Sequence, residues 1–208
     1  MQKIKAIGFD WSGVVFFHPT KHNKMVPEFL NISKENFSDS YYQHNHLINK
    51  KDIDPKEFWT IVFTDLGYES RVDEFLEALN NLPKGKYNEE ILPILDLLKS
   101  KGYKLGLFSN HTVAGAKEAR EFGVDELFDV TLFSAEVGVM KSHPEAYLLL
   151  AEKLGVDISE MIYIDDTPHN LDKAHEIGFE PILYTDMPNF LQRLEELEIL
   201  TKSEIEKL

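Results

Sequence analysis

Five short apolar runs, 4–10, 104–109, 130–134, 161–165 and 181–184, are separated by segments with helical periodicity. This alternation constrains the fold more than any other feature of the chain. Strands that alternate with helices predict a parallel sheet with helices on both faces. Most of these runs end on a polar or acidic residue, as in IKAIGFD, KLGLFS and MIYID. In an open parallel sheet the ligand crevice lies outside those carboxyl ends. The helices are punctuated accordingly. LPILDLLKSKG, TVAGAKEAREFG and PEAYLLLAEKLG each close on a glycine, and Thr167-Pro168 opens a predicted helix that runs to Gly178.

Residues 16–86 break the alternation and read as helical throughout, with no strong strand. Asp54-Pro55-Lys56-Glu57 is a capping-box pattern, and Gly67 closes the helix it opens. The prediction is a Rossmann-like α/β core of residues 1–15 and 87–208, with a helical cap of residues 16–86 inserted after the first strand. The final stretch, 188–208, reads as one helix with a frayed tail.

Composition narrows the functional classes. The formal net charge of -14 disfavours nucleic-acid binding, which depends on Lys and Arg neutralising phosphates. It also requires any phosphate site to be locally basic. There is no cysteine, which removes disulfides and thiolate metal sites and is in keeping with a cytoplasmic location. No apolar run is long enough for a membrane helix, so no membrane association is expected.

Four polar sites fall at four predicted strand ends. Asp10 ends the first, within Phe9-Asp10-Trp11-Ser12-Gly13. A carboxylate there can attack phosphorus, and the N–H groups of a tight turn around Trp11 and Gly13 can hold phosphate oxygens. Ser109 and Asn110 end another strand, where a hydroxyl and a helix N-terminus suit a phosphate. The plainer reading of Ser109 is an N-cap. Lys141 stands ahead of a helix and could neutralise a phosphate; the plainer reading is a solvated surface lysine. Asp165 and Asp166 are adjacent acids that call for a cation, and with Asp10 they offer hard oxygen ligands suited to magnesium.

The order Asp, Ser, Lys, Asp-Asp resembles the haloacid dehalogenase superfamily of hydrolases, over residues 4–16 and 87–185. Within it the chain is similar to the helical-cap branch whose fourth motif reads D-D-x-x-x-N, here Asp165 to Asn170. The resemblance implies a magnesium-dependent hydrolase of small phosphorylated metabolites, with sugar phosphates the leading substrate class. It implies Asp10 as nucleophile and metal ligand, and Asp165 as direct metal ligand. Asp166 would support the metal, and the Ser12 carbonyl would complete its shell. Ser109 and Lys141 would hold the phosphoryl group.

One position departs. Phosphatases of this superfamily carry a second Asp two residues after the nucleophile, and this chain has Ser12, too weak an acid for that task. His18 and His111 are candidates to supply the proton. His44 and His46 read as polar cap surface. Ser142, where the family often has proline, is a minor departure. Two alternatives follow from Ser12. One is a degenerate member that binds phosphate or a partner without turnover. The other is a phosphonoacetaldehyde hydrolase-like enzyme, whose start resembles Asp10-Trp11-Ser12-Gly13 and which needs a cap lysine, for which Lys50 or Lys51 could serve. Haloacid dehalogenation on carbon is disfavoured by the paired acids.

Overall fold

A computed structural model describes residues 3–18, 22–50, 53–141 and 143–208; the Lys50 side chain also lies outside the description. The strands are β1 (Ala6–Phe9), β2 (Phe16–Phe17), β3 (Lys86–Tyr87), β4 (Lys104–Ser109), β5 (Val130–Phe133), β6 (Met161–Asp165) and β7 (Glu180–Leu183). The α-helices, in chain order, are α1 (His22–Leu30), α2 (Lys34–Lys50), α3 (Pro55–Asp65), α4 (Val72–Asn80), α5 (Leu92–Ser100), α6 (Val113–Glu121) and α7 (Val124–Leu127). They continue with α8 (Ser134–Val137), α9 (Pro144–Leu154), α10 (Pro168–Leu171), α11 (Ala174–Ile177), α12 (Met187–Glu196) and α13 (Lys202–Ile205). None is long and apolar enough to cross a membrane.

Five strands form one parallel sheet in the order β5-β4-β1-β6-β7. The chain leaves central β1 in one direction, to β4 and β5, and later fills the other side with β6 and β7. The switch in direction beside β1 opens a crevice at the strand carboxyl ends. Side chains alternate across the sheet. Ile7, Phe9, Leu105, Leu107, Ile162 and Ile164 pack to one face with α5, α6 and α12. Ala6, Phe108, Met161 and Tyr163 pack to the other with α9 and α11. Gly8 and Gly106 are register partners, and neither has room for a side chain. A Cβ on Gly8 would stand 2.5 Å from the Tyr163 ring, and one on Gly106 would stand 2.8 Å from Leu150. Their absence of side chains lets Tyr163 lie over the sheet and α9 approach it closely.

The helices α1 to α4 enclose a separate apolar cluster that includes Val26, Phe37, Phe58, Trp59, Phe63 and Phe75. Asp54 caps α3 through the Lys56 N–H at 2.7 Å, without help from the rest of the capping-box pattern. The expectation of no strand in residues 16–86 is corrected at their ends. Phe16 pairs with Tyr87 and Phe17 with Lys86 in a two-stranded antiparallel ribbon. Asn88, almost fully buried, fastens it: its side chain donates to the Val14 carbonyl at 3.0 Å and to the Tyr184 hydroxyl at 2.9 Å.

Two predicted helices are divided. The segment after Thr167 forms α10 and α11 instead of one helix, and the Asn170 carbonyl in α10 accepts the Tyr147 hydroxyl. The C-terminal stretch stops at Glu198, whose φ is +58°, and restarts at a true capping box between Thr201 and Glu204.

Candidate active site

Asp10 leaves the end of β1 almost fully buried, and its main-chain N–H is anchored to the Ile164 carbonyl at 2.8 Å. Lys141 is also buried, not the solvated lysine of the plainer reading. Its Nζ lies 2.6 Å from Asp10 Oδ1 and 2.6 Å from Asp165 Oδ2. Asp165, at the end of β6, is held further by the Asn170 amide, which donates to both carboxylate oxygens at 2.9 and 3.0 Å. The Thr167 N–H adds a third donor at 2.9 Å. Asn170 is absent from the candidate ligands and binders read from the sequence, although the D-D-x-x-x-N spacing contained its signal.

Asp10, Asp165 and Asp166 bring carboxylate oxygens within 4.8 Å of one another. Lys141 pairs with two of these carboxylates, so the cluster holds more acidic groups than the one lysine can balance. Burial, first, and the charges of Asp165 and Asp166 raise the Asp10 pKa against the pull of Lys141. The Lys141 pKa is itself raised: burial works to lower it, but Asp10 and Asp165 outweigh that. A compact set of hard oxygen donors with surplus negative charge fits a divalent cation such as magnesium.

The first loop is tight. Gly13 has φ +95°, and a Cβ there would lie 2.2 Å from Asp166 Oδ2. Its N–H donates to the Phe16 carbonyl at 2.8 Å, so this N–H is engaged in the turn and is not directed to a phosphate. The Trp11 ring is buried, stacked on Phe16 with centroids 4.8 Å apart. Only its main chain reaches the site, and its N–H donates to Asp10 Oδ1 at 2.6 Å.

Ser109 is buried at the end of β4. It does not cap the next helix; Thr112 does, accepting from the Gly115 N–H. Asn110 has a task the sequence reading missed, since its Oδ1 accepts the Lys141 main-chain N–H at 2.7 Å and ties the lysine loop to β4. Ser12 Oγ lies 3.2 Å from His18 Nε2, and the His18 and His111 rings are 6.2 Å apart. His44, on α2, is 3.7 Å from Asp65 at the end of α3. Lys51, Ser142 and the Lys50 side chain lie outside the described residues.

A family model for haloacid dehalogenase-like hydrolases matches residues 4–178. The chain belongs to that family. The hydrolase is 32 % identical over 98 residues to a phosphorylated carbohydrates phosphatase of Thermotoga maritima, covering 47 % of this chain and 45 % of the relative. It is 25 % identical over 222 residues to an uncharacterized hydrolase of Schizosaccharomyces pombe, covering 94 % and 97 % of the two chains. Its fold is similar to that of a HAD family enzyme from Bacteroides thetaiotaomicron, solved as a magnesium complex, with TM-score 0.60 and 26 % identity over 88 % of this chain and 94 % of the other. The hydrolase spans less than two thirds of the length of several curated relatives it matches, the Thermotoga phosphatase among them.

Proposed function

We propose that the chain is a magnesium-dependent phosphoric monoester hydrolase that works through Asp10 on small phosphorylated metabolites, sugar phosphates foremost. The observation that carries this reading is Lys141 Nζ at 2.6 Å from both Asp10 and Asp165, with Asp166 completing a triad of carboxylates at the sheet's switch point. The sugar preference is supported by the phosphatase relative that acts on phosphorylated carbohydrates.

Asp10, Asp165 and Asp166 would hold magnesium, with the Ser12 carbonyl as a further ligand. When bound, the ion would neutralise negative charge on the phosphoryl oxygens. Asp10 attacks phosphorus through a carboxylate oxygen as the phosphorus–alcohol bond breaks, and the electron pair departs with the leaving oxygen. Lys141 balances the charge of the transferring group in a buried site, where such compensation is strong. Ser109 offers its hydroxyl to that group, and Asn110 positions Lys141. Water then attacks the aspartyl-phosphate, releasing phosphate and restoring Asp10.

Phosphate release from a panel of monoesters, with and without magnesium, tests this directly. Turnover should vanish in Asp10→Asn and on chelation. Full activity in either condition would refute the mechanism. A second reading, phosphate binding without turnover, has Ser12 behind it; phosphate binding without release from any ester would select it.

A further inference from the structure

Three histidines from separate segments lie near one another, at the Ser12 loop and within electrostatic reach of Lys141. His18 follows β2 and reaches Ser12 Oγ with Nε2 at 3.2 Å. His111 follows β4, with its ring 6.2 Å from that of His18. His22 begins α1 and meets Trp59 edge-on at 5.1 Å and Tyr41 at 6.4 Å. His18 and His111 are partly exposed and His22 is exposed, so each ring presents part of its edge to solvent. A Cβ on Gly115 would lie 1.9 Å from the His111 ring, so glycine at this point of α6 gives the imidazole its berth. Across the same region, α2 packs against α8.

The surroundings define what such a surface can hold. Burial first, then His18, His22 and Lys141, push His111 down to about 4, so it is neutral at pH 7. Burial first, and then His18, lower His22 as well. Neutral imidazoles donate and accept hydrogen bonds, as sugar hydroxyls require. A carboxylate-bearing leaving group would call for a cation, usually a bidentate arginine. The chain has three arginines, and each is paired with carboxylates: Arg71 with Glu74, Arg120 with Glu136, and Arg193 with Glu196. The cation acting on His111 is Lys141, already shared between Asp10 and Asp165. Nor do the rings form a metal site. Among the described residues, only Asp10, Asp165 and Asp166 converge closely enough for that.

We infer that His18, His22 and His111 form the contact surface for the leaving alcohol, with the His22 ring seated against Trp59 and Tyr41, and favour a hydroxylated, uncharged alcohol of the sugar type over a carboxylated one. The inference rests on the phosphatase reading and assigns the part of the site that reads the alcohol.

The test compares glucose 1-phosphate and 2-phosphoglycolate, with acetyl phosphate as a reference that carries no alcohol. The KM for glucose 1-phosphate should lie at least about tenfold below that for phosphoglycolate. His111→Ala should raise the sugar ester's KM about fivefold to tenfold more than that of acetyl phosphate, the scale of one or two lost hydrogen bonds. Gly115→Ala should do the same by displacing the ring, while alanine favours the helix and keeps the protein folded. His22→Arg should move the preference toward phosphoglycolate. Equal KM values for the two esters, or variants that shift the sugar ester and acetyl phosphate alike, would overturn the inference. If no ester is cleaved, the phosphatase reading fails. Calorimetric Kd values of Asp10→Asn for the same two esters then decide the inference by the same inequality.

Discussion

In the proposed mechanism, serine at position 12 would leave the departing oxygen to carry its own charge. General acid catalysis is worth about 10²–10⁴-fold, so wild-type rates should fall steeply as the leaving alcohol becomes less acidic. Ser12→Asp should help alkyl esters more than aryl ones. A graded ester series measures both, and a flat wild-type dependence would show that a proton is already supplied. Gly13 is constrained by both backbone and space, because a Cβ would strike Asp166. Gly13→Ala should therefore raise the magnesium concentration for half-maximal activity by about tenfold or more; an unchanged value would remove Asp166 from the metal site. His111 also makes a prediction about stability. Its folded pKa, about 4, lies below its ordinary 6.5, so the unfolded chain binds more protons between those values. Its contribution is present above pH 6.5 and is lost as pH falls toward 4. His111→Gln should flatten that part of the acid limb in urea titrations; an identical slope in both proteins would contradict this. At this scale the sequence showed Asp10, Lys141, Asp165 and Asp166 as a set, because their order on strand ends is distinctive. It did not show that Asn110 grips the Lys141 main chain or that Asn170 grips Asp165, because an amide's partner is chosen by tertiary approach.

Among the elements, the seam between β4 and α9 depends on missing atoms. Gly106→Ala would push a methyl group to 2.8 Å from Leu150 and Leu154. Overpacking of this kind costs about 1–3 kcal/mol, which lowers Tm by about 2–4 °C per kcal/mol in a chain of this size. A melting curve unchanged within a degree would mean that α9 yields freely. The parallel sheet was legible because each long strand carries its own apolar run and ends beside a polar residue. The β2–β3 ribbon was not, since two-residue strands such as Phe16–Phe17 have no periodicity to read. The break between α10 and α11 was equally hidden, because Asp172 and Lys173 between them include no glycine or proline to mark it. The restart at Thr201 was written locally, as Thr-x-x-Glu, and was legible in principle.

For the whole molecule, the helical cluster around Trp59 and Phe75 is separate from the two clusters on the sheet. Replacing residues 16–86 by a short linker, the division proposed from the sequence, should leave a folded core that discriminates poorly among esters. A chain that fails to fold would show that these helices support the sheet. The net charge of -14 acts at a longer range. It repels dianionic esters, so raising ionic strength from about 0.02 to 0.2 M should increase kcat/KM about twofold to threefold; a decrease would mean that local positive potential dominates capture. The ribbon of Phe16–Phe17 and Lys86–Tyr87 has a mechanical consequence. Both crossings between the helical block and the sheet run side by side in a fixed register, fastened by Asn88. Sliding by one residue would turn Phe16 out of the aromatic stack beneath Trp11, which the pairing resists. The two chain segments that join the helical block to the sheet are thus locked to one another, and neither can shift along the other without unstacking Phe16 from Trp11.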